Sequence, residues 1–212
     1  RMAGSITEGD NRLPVGIQVG MGTRPTAVHK FFTQGDFQNT GNTLDVAIEG
    51  DGFFQVDVNG ELMYTRAGSF KLNQDGTVVT ANGYILQPEF AVPAETKNIS
   101  ISSSGHIAAL DSQGQELAVA EIPLYTFINS AGLDARGRNL FTPTEASGDA
   151  VEGVPGTENV GTLAQGFLEM SNVEVVDEMV NMIVGQRAYE VNSKSIQTSD
   201  SMLGIAVQLK RS

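Results

Sequence analysis

The sequence predicts a mainly β protein with one long C-terminal α-helix. Turn-forming dipeptides recur roughly every 8–12 residues through the middle of the chain, between short segments in which apolar and polar residues alternate. This spacing is typical of an antiparallel sheet or a small barrel. The end of the chain lacks proline and has helical periodicity instead. We therefore predict extended N-terminal strands, an antiparallel β-rich central domain of barrel- or sandwich-like hairpins, and a C-terminal helix.

Residues 1–43 are predicted to form an extended connector with short strands. Residues 13–20 alternate apolar with small or polar side chains, as a strand does, and residues 28–32 suggest a second strand. Residues 35–43 are polar and typical of a loop.

Residues 44–165 are predicted to form the β-rich domain, and Asn59-Gly60 is its strongest hairpin signal. Other turns are expected at Gly50-Asp51-Gly52, Asp75-Gly76, Asn82-Gly83 and Asp111-Ser112-Gln113-Gly114. The intervening segments predict strands at residues 44–49, 53–58, 62–66, 69–72, 77–80, 84–86, 99–101, 106–110, 117–122 and 124–128. Residues 129–161 are rich in Gly, Pro, Thr and acidic residues, which predicts a long loop before a last strand at residues 166–170.

Residues 166–212 are predicted to carry an assembly helix. Ser171-Asn172-Val173-Glu174 has the pattern of a capping box, and residues 175–209 contain only two glycines. About 35 helical residues extend roughly 50 Å, and a helix of that length needs a partner surface. We predict that this partner is another molecule or a segment absent from the chain; the alternative is a helix folded back over the β domain. The candidate assembly interface consists of Val175, Val176, Met179, Val180, Met182, Ile183, Tyr189, Ile196, Met202, Leu203 and Val207.

The composition excludes several classes of partner. With 13 basic and 25 acidic residues the formal net charge is -12, so neither nucleic acid nor an anionic membrane surface is expected to bind. No apolar run reaches the ~20 residues of a membrane span, and no signal peptide is visible. The absence of cysteine suits a protein that passes through an oxidising compartment without disulfides.

No catalytic or metal-binding pattern is visible in the sequence. His29 and His106 lie far apart, and neither has a Cys or His at metal-ligand spacing. Glu49, Asp51 and Asp57 lie around predicted turns, where acidic residues form turns and solvated faces more often than catalytic pairs. We therefore predict that the protein is not an enzyme and binds no cofactor or metal.

Three motifs resemble the bacterial flagellar rod and hook family. Residues 44–56 read LDVAIEGDGFFQV, residues 64–70 read YTRAGSF, and residues 171–194 include EMVNMI and QRAYEVNSK. Within the family, LPVGIQVG at residues 13–20 and FTQGD at residues 32–36 are most similar to the distal rod members. The signature residues of these motifs are Asp51, Gly52, Phe53, Phe54, Tyr64, Arg66, Gly68 and Phe70.

The resemblance implies a structural subunit that polymerises helically into the hollow distal rod of the flagellar basal body, which crosses the periplasm. It implies export through the flagellar type III apparatus without a cleaved signal peptide. The β domain would form the outer wall, and N- and C-terminal helices would pair to line the inner tube, although this sequence does not contain the N-terminal helix. The implied partners are copies of the chain, the proximal rod and hook proteins, the surrounding P- and L-ring proteins, and the export apparatus.

A second class of protein fits the same pattern of strands and helix. A secreted oligomeric binding module, such as an adhesin- or phage-tail-like β domain with a helical stalk, would also combine a β-rich domain with a long helix. Stable soluble trimers with a defined ligand would favour that module, whereas helical polymerisation would favour the rod.

Overall fold

A computed structural model of the chain describes the backbone of residues 6–8, 11–13, 30–157 and 159–210, and the side chains of residues 30–157 and 159–205. The chain divides into two compact units, residues 1–31 and residues 32–212. The first unit contains an antiparallel hairpin of β1 (Ile6–Glu8) and β2 (Asn11–Leu13), with Ile6 opposite Leu13. The rest of the strand predicted at residues 13–20 lies outside the described residues, as do the first two residues of the segment 28–32.

Short antiparallel strands and one long helix build the second unit. In chain order these are β3 (Phe37–Asn39), β4 (Val46–Glu49), β5 (Phe54–Val58), β6 (Glu61–Thr65), β7 (Phe70–Leu72), β8 (Val78–Thr80), β9 (Ile85–Gln87), β10 (Asn98–Ile101), β11 (His106–Leu110), β12 (Glu116–Glu121), β13 (Leu124–Thr126), β14 (Asp134–Gly137), β15 (Leu140–Thr142), β16 (Val151–Gly153), β17 (Thr162–Gln165), β18 (Phe167–Glu169) and α1 (Val175–Lys210).

The strands form open antiparallel sheets. The largest has seven strands in the order β14-β15-β6-β5-β9-β8-β7, and a second has three in the order β10-β11-β12. Three pairs complete the fold: β17 with β4, β18 with β3, and β13 with β16. The mainly β fold with a single long helix is confirmed. None of the described sheets closes on itself, so the barrel form of the prediction is wrong.

The hairpin between β5 and β6 shows how the turn residues set the register. Asn59 and Gly60 both have positive φ, of 56° and 89°, as a two-residue turn that matches the twist of the strands requires. The Asp57 carboxylate accepts a hydrogen bond of 2.6 Å from the Gly60 backbone N–H. Val58 therefore lies opposite Glu61, and Val56 lies opposite Met63 on the buried side.

Residues 129–161 are not the long loop that their composition predicts. Strands β14 and β15 form a hairpin that extends the large sheet next to β6, and β16 pairs with β13. The hairpin turn uses Arg138 and Asn139 at φ of 54° and 61°, so no glycine marks its centre. Leu140 is buried against the main core, which stabilises the hairpin through contacts far apart in sequence.

Two hydrophobic clusters form the interior. The main cluster lies between the large sheet and the three-stranded sheet and includes Val46, Ile48, Phe54, Val56, Phe70, Leu86, Ile107 and Leu124. The second cluster is aromatic: Phe53, Tyr64 and Leu133 are buried, and Phe32, Tyr125, Phe127 and Phe141 pack against them.

Candidate assembly interface

Helix α1 exposes apolar side chains along its described length. It spans 36 residues, or roughly 54 Å at about 1.5 Å per residue. Its described side chains are exposed, apart from the half-buried Ser193. Val176 is 71% exposed, Ile183 50% and Tyr189 77%. The helix is thus not folded back over the β sheets, and its apolar residues remain available to other molecules.

The predicted interface residues lie on this exposed helix. All of those whose side chains are described, from Val175 to Leu203, are more than half exposed or at half exposure. The side chain of Val207 lies outside the described residues. In the first two turns, Val175, Val176, Met179, Val180 and Met182 lie within an arc of about 160°, at about 100° per residue. Further along the helix, the apolar residues Ile196 and Leu203 lie outside this arc. A helix that is apolar on several faces is suited to being surrounded rather than to lying on one surface.

The polar middle of the helix satisfies its own hydroxyl groups. Thr198, Ser199 and Ser201 each donate a side-chain hydrogen bond to the carbonyl four residues earlier, at 2.8, 2.9 and 2.8 Å. These hydroxyls need no outside partner, so another helix can approach closely here without burying an unpaired donor.

The predicted capping box does not form. The Glu174 carbonyl accepts the first helical hydrogen bond, from the Glu178 N–H at 3.1 Å, so Glu174 occupies the cap position. The Ser171 hydroxyl instead accepts a hydrogen bond from the Val173 N–H at 3.3 Å. The sequence pattern places the cap at Ser171, three residues before the observed cap at Glu174. Hydrogen bonds from the Met170 N–H to the Asp36 carbonyl and from Asn172 Nδ2 to the Thr33 carbonyl hold the intervening residues outside the helix. Asp177 and Glu178 still lie in the first turn, near the positive end of the helix dipole.

Arg66 contacts the turn between β4 and β5, residues 50–53, which we call the signature loop. Its guanidinium donates to the carbonyls of Ile48, Gly50 and Gly52, at 3.3, 2.9 and 3.2 Å. The carbonyls of Gly50 and Gly52 belong to the turn between β4 and β5, whereas Ile48 lies in β4 and its carbonyl also accepts a hydrogen bond of 2.8 Å from Gln34 Nε2. The planar guanidinium has five N–H donors and can bond to several carbonyls at once, which explains an arginine at position 66.

Glu169 completes the Arg66 site, although the sequence analysis did not identify it. Its Oε2 accepts a hydrogen bond of 2.6 Å from Arg66 Nε, and its Oε1 accepts one of 3.0 Å from the Gly35 N–H. The two side chains are only 16% and 11% exposed. The one available signal was an acidic residue inside the short apolar strand β18, and nothing local linked it to an arginine 103 positions away.

The remaining signature residues pack the two faces of the sheet. Phe54 and Phe70 lie edge to face in the main cluster, with ring centroids 5.2 Å apart, whereas Phe53 and Tyr64 belong to the aromatic cluster. Gly68 allows close approach of the backbone to β4, because a Cβ there would lie 1.6 Å from the Val46 carbonyl oxygen. The structure thus brings the signature residues together in and around one sheet, and the strand β18 connects them to the helix.

A cleft of about 610 Å³ opens beside this loop. Phe32, Phe53 and Phe127 line it together with Arg66 and Glu152. Asp51 also lines the cleft. Arg66 is paired with Glu169, and the Tyr125 hydroxyl donates a hydrogen bond of 3.4 Å to Glu152 Oε2. Burial, followed by the charge and hydrogen bond of Glu152, raises the pKa of Tyr125 to about 12.

The described residues contain no cluster of three or more His, Cys, Asp or Glu side chains arranged to hold a metal ion. None of the helices in the described part of the chain is long and apolar enough to cross a membrane.

Comparison with known proteins supports assembly as the function. Residues 47–109 match the flagellar hook protein FlgE/F/G D1 domain, and residues 164–209 match the C-terminal domain of flagellar basal body rod FlgEFG proteins. The chain is 47% identical to the flagellar basal-body rod protein FlgG of Borreliella burgdorferi over 213 residues, which cover 99% of this chain and 80% of the relative. It is 44% identical to FlgG of Buchnera aphidicola from Schizaphis graminum, over 99% of this chain and 81% of the relative, and 43% identical to FlgG of Caulobacter vibrioides, over 98% and 80%.

The chain belongs to the FlgG family of flagellar basal-body rod proteins. Membership of the FlgG family confirms the resemblance read from the three motifs, and with it a structural subunit of the rod. The secreted binding module is not favoured, because matches to the FlgG family extend over nearly the whole chain. The two matched domains correspond to the strands that carry the signature residues and to the stretch from β17 into helix α1.

Proposed function

We propose that this rod subunit polymerises helically with copies of itself into the hollow distal rod, and that helix α1 is the element which neighbouring subunits surround. The observation that carries the proposal is the 36-residue helix whose described apolar side chains are exposed along its length. A monomer with this much exposed apolar surface on one element gains stability when other chains cover it.

Assembly would fix the position of the helix and bury its first turns. Ordering costs roughly 1–2 kcal/mol per residue, and only burial of side chains such as Val176, Met179, Val180 and Ile183 offsets it. A free subunit in solution offers little of this burial, whereas the end of a growing rod offers it from several neighbours. Growth at the tip of the rod follows from that difference.

The segments would take different places in the polymer. We assign residues 1–43 to a connector, residues 44–165 to the outer wall and residues 166–212 to the inner tube. The proximal rod, the hook and the P- and L-rings would be the neighbouring structures, and the rod would cross the periplasm. Export through the flagellar apparatus without a cleaved signal peptide would deliver the subunits.

A charge placed in the apolar part of the helix tests the proposal. Ile183→Asp puts a carboxylate where neighbouring chains would bury it, and we expect a strain carrying only this variant to form no complete rods and not to swim. Asn181→Asp adds the same charge at a polar position two residues away and serves as the matched control, with a smaller expected loss. Electron microscopy of isolated basal bodies and circular dichroism of the purified subunits provide the readouts. Normal rods built from Ile183→Asp would refute the proposed interface, provided that its β strands remain folded.

A further inference from the structure

The residues between the β sheets and helix α1 are anchored at successive points. We call residues 162–172 the stem; it contains β17 and β18, which pair with β4 and β3. The first anchor is Gln165, whose Nε2 donates to the carbonyls of Thr43 and Ile99, both at 2.8 Å. Its Oε1 accepts a hydrogen bond from the Ile101 N–H at 3.1 Å, so one side chain joins the stem to the edge of β10.

The second anchor is the ion pair of Glu169 with Arg66. It lies one strand further along the stem and holds it to the signature loop on one side and to the Gly35 N–H on the other. The backbone is close here as well, because the Met170 N–H donates to the Asp36 carbonyl at 2.8 Å. Both charged side chains are largely shielded from water. If they were separated, each charge would remain in a poorly hydrated site without an equally good partner.

The third anchor is Asn172, at the end of the stem. Its Nδ2 donates to the carbonyl and to the hydroxyl of Thr33, at 2.9 and 2.8 Å. The hydrogen bonds differ after Asn172, because the described side-chain hydrogen bonds of helix α1 join residues of the same helix. Two residues, Val173 and Glu174, separate the last anchor from the first helical residue.

We propose that the Arg66–Glu169 pair is a latch that fixes the stem to the β sheets and so places the pivot of helix α1 at Val173 and Glu174. With the latch closed, the helix can reorient as a unit about these two residues while β17 and β18 stay paired. Without the latch, the chain would be released from the β sheets from about Gly166 onward. A longer flexible segment would then connect the helix to the sheets. This inference concerns the single subunit and does not depend on how subunits assemble.

Hydrogen–deuterium exchange of the full 212-residue chain, followed by mass spectrometry of peptides, tests the latch. Glu169→Gln keeps the size of the side chain and removes its charge. We expect backbone exchange in residues 167–172 to become roughly ten- to hundredfold faster, as for the loss of a charged hydrogen bond, while β4 to β9 keep their protection. Glu116→Gln, at an exposed position at the start of β12, is the matched control and is expected to change neither region.

Two results would overturn the latch. Exchange in residues 167–172 that stays at the wild-type rate in Glu169→Gln would show that the pair does not hold the stem. Faster exchange throughout β4 to β9 as well would make the pair a support of the whole fold instead of a local latch. Asn172→Ala provides a second test that leaves the ion pair intact. We expect faster exchange only near residues 170–173 in this variant, and no change there would contradict the assigned pivot.

Discussion

Phe53 and Phe54 are adjacent in the chain but lie in different hydrophobic clusters. The ring of Phe54 is 5.2 Å from the ring of Phe70 in the main cluster, whereas the ring of Phe53 is 5.6 Å from both Phe32 and Phe127 in the aromatic cluster. Side chains of consecutive residues at a strand point to opposite faces of its sheet. Phe53 and Phe54 therefore pack into the hydrophobic clusters on opposite faces of the sheet that carries the signature loop.

Phe54→Ala is expected to lower the free energy of unfolding by about 3–5 kcal/mol, because it leaves a cavity in the main cluster. The side chain of Phe54 is 0% exposed, and that of Phe37 is 39% exposed in strand β3. Phe37→Ala is the matched control and should cost less than about 1 kcal/mol. Urea denaturation followed by far-ultraviolet circular dichroism measures both losses. Equal losses in the two variants would contradict the assigned core.

Gly68→Ala is expected to destabilise the sheet by about 3 kcal/mol, because its methyl group would overlap the Val46 carbonyl oxygen. At this close approach the Val46 N–H also donates a backbone hydrogen bond of 2.9 Å to the Gly68 carbonyl. Moving Val46 and Gly68 apart to make room for the methyl group would break this bond. Gly185→Ala makes the same change in helix α1, where nothing lies within 4 Å, and should raise helicity instead. Thermal unfolding and helical ellipticity distinguish the two; a Gly68→Ala variant as stable as the wild type would count against the close approach.

Arg66→Gln is expected to lower the free energy of unfolding by about 2–3 kcal/mol, more than Glu169→Gln does. Besides removing the cation beside the partly buried Glu169, it takes the side-chain donor from the carbonyls of Gly50 and Gly52 in the turn between β4 and β5. Arg136 forms an ion pair with Asp134 whose side chains are 57% and 54% exposed. Arg136→Gln should therefore cost no more than about 1 kcal/mol. Denaturant titration of both variants, together with the Arg66→Gln/Glu169→Gln double mutant, measures the coupling. Additive losses in that double mutant would mean that the two charges do not support each other.

Alkaline pH is expected to destabilise the fold through Tyr125. Its pKa is raised from 10.0 to about 12, so between these values the unfolded chain has lost the phenol proton and the folded chain retains it. The contribution of Tyr125 to the free energy of unfolding is thus complete below about pH 10 and is lost as the pH rises towards about 12. Stability measured across this window should fall less steeply in Tyr125→Phe. Tyr189→Phe, on the exposed helix, is the control, and identical slopes in all three proteins would disprove the effect.

Local sequence was sufficient to predict the strands of residues 44–128 and the helix. Asn59-Gly60 predicts its hairpin because positive φ at both positions suits few other residues, and this preference acts within the turn itself. The helix is predictable for a similar reason: helical periodicity and the lack of proline over 36 residues favour this conformation through preferences that act within a few residues. The exposed state of its apolar side chains was also expected, because no other segment could match its length.

Contacts between distant parts of the chain decided the rest. The hairpin of β14 and β15 exists because Leu140 packs against the main core and Phe141 lies opposite Tyr64, and neither fact is visible in a stretch rich in Gly and Thr. Glu169 acquires its role only when β18 is placed beside β3, which brings its carboxylate to Arg66. The predicted Ser171 cap does not form because of another distant contact, the hydrogen bond of Asn172 Nδ2 to the Thr33 carbonyl, which holds the chain outside the helix just after Ser171. The sequence by itself determined the strands of residues 44–128 and the long helix, because turn and helix preferences act over a few residues. Only the tertiary structure decided how the stem is held, because a buried charge finds its partner across the whole fold.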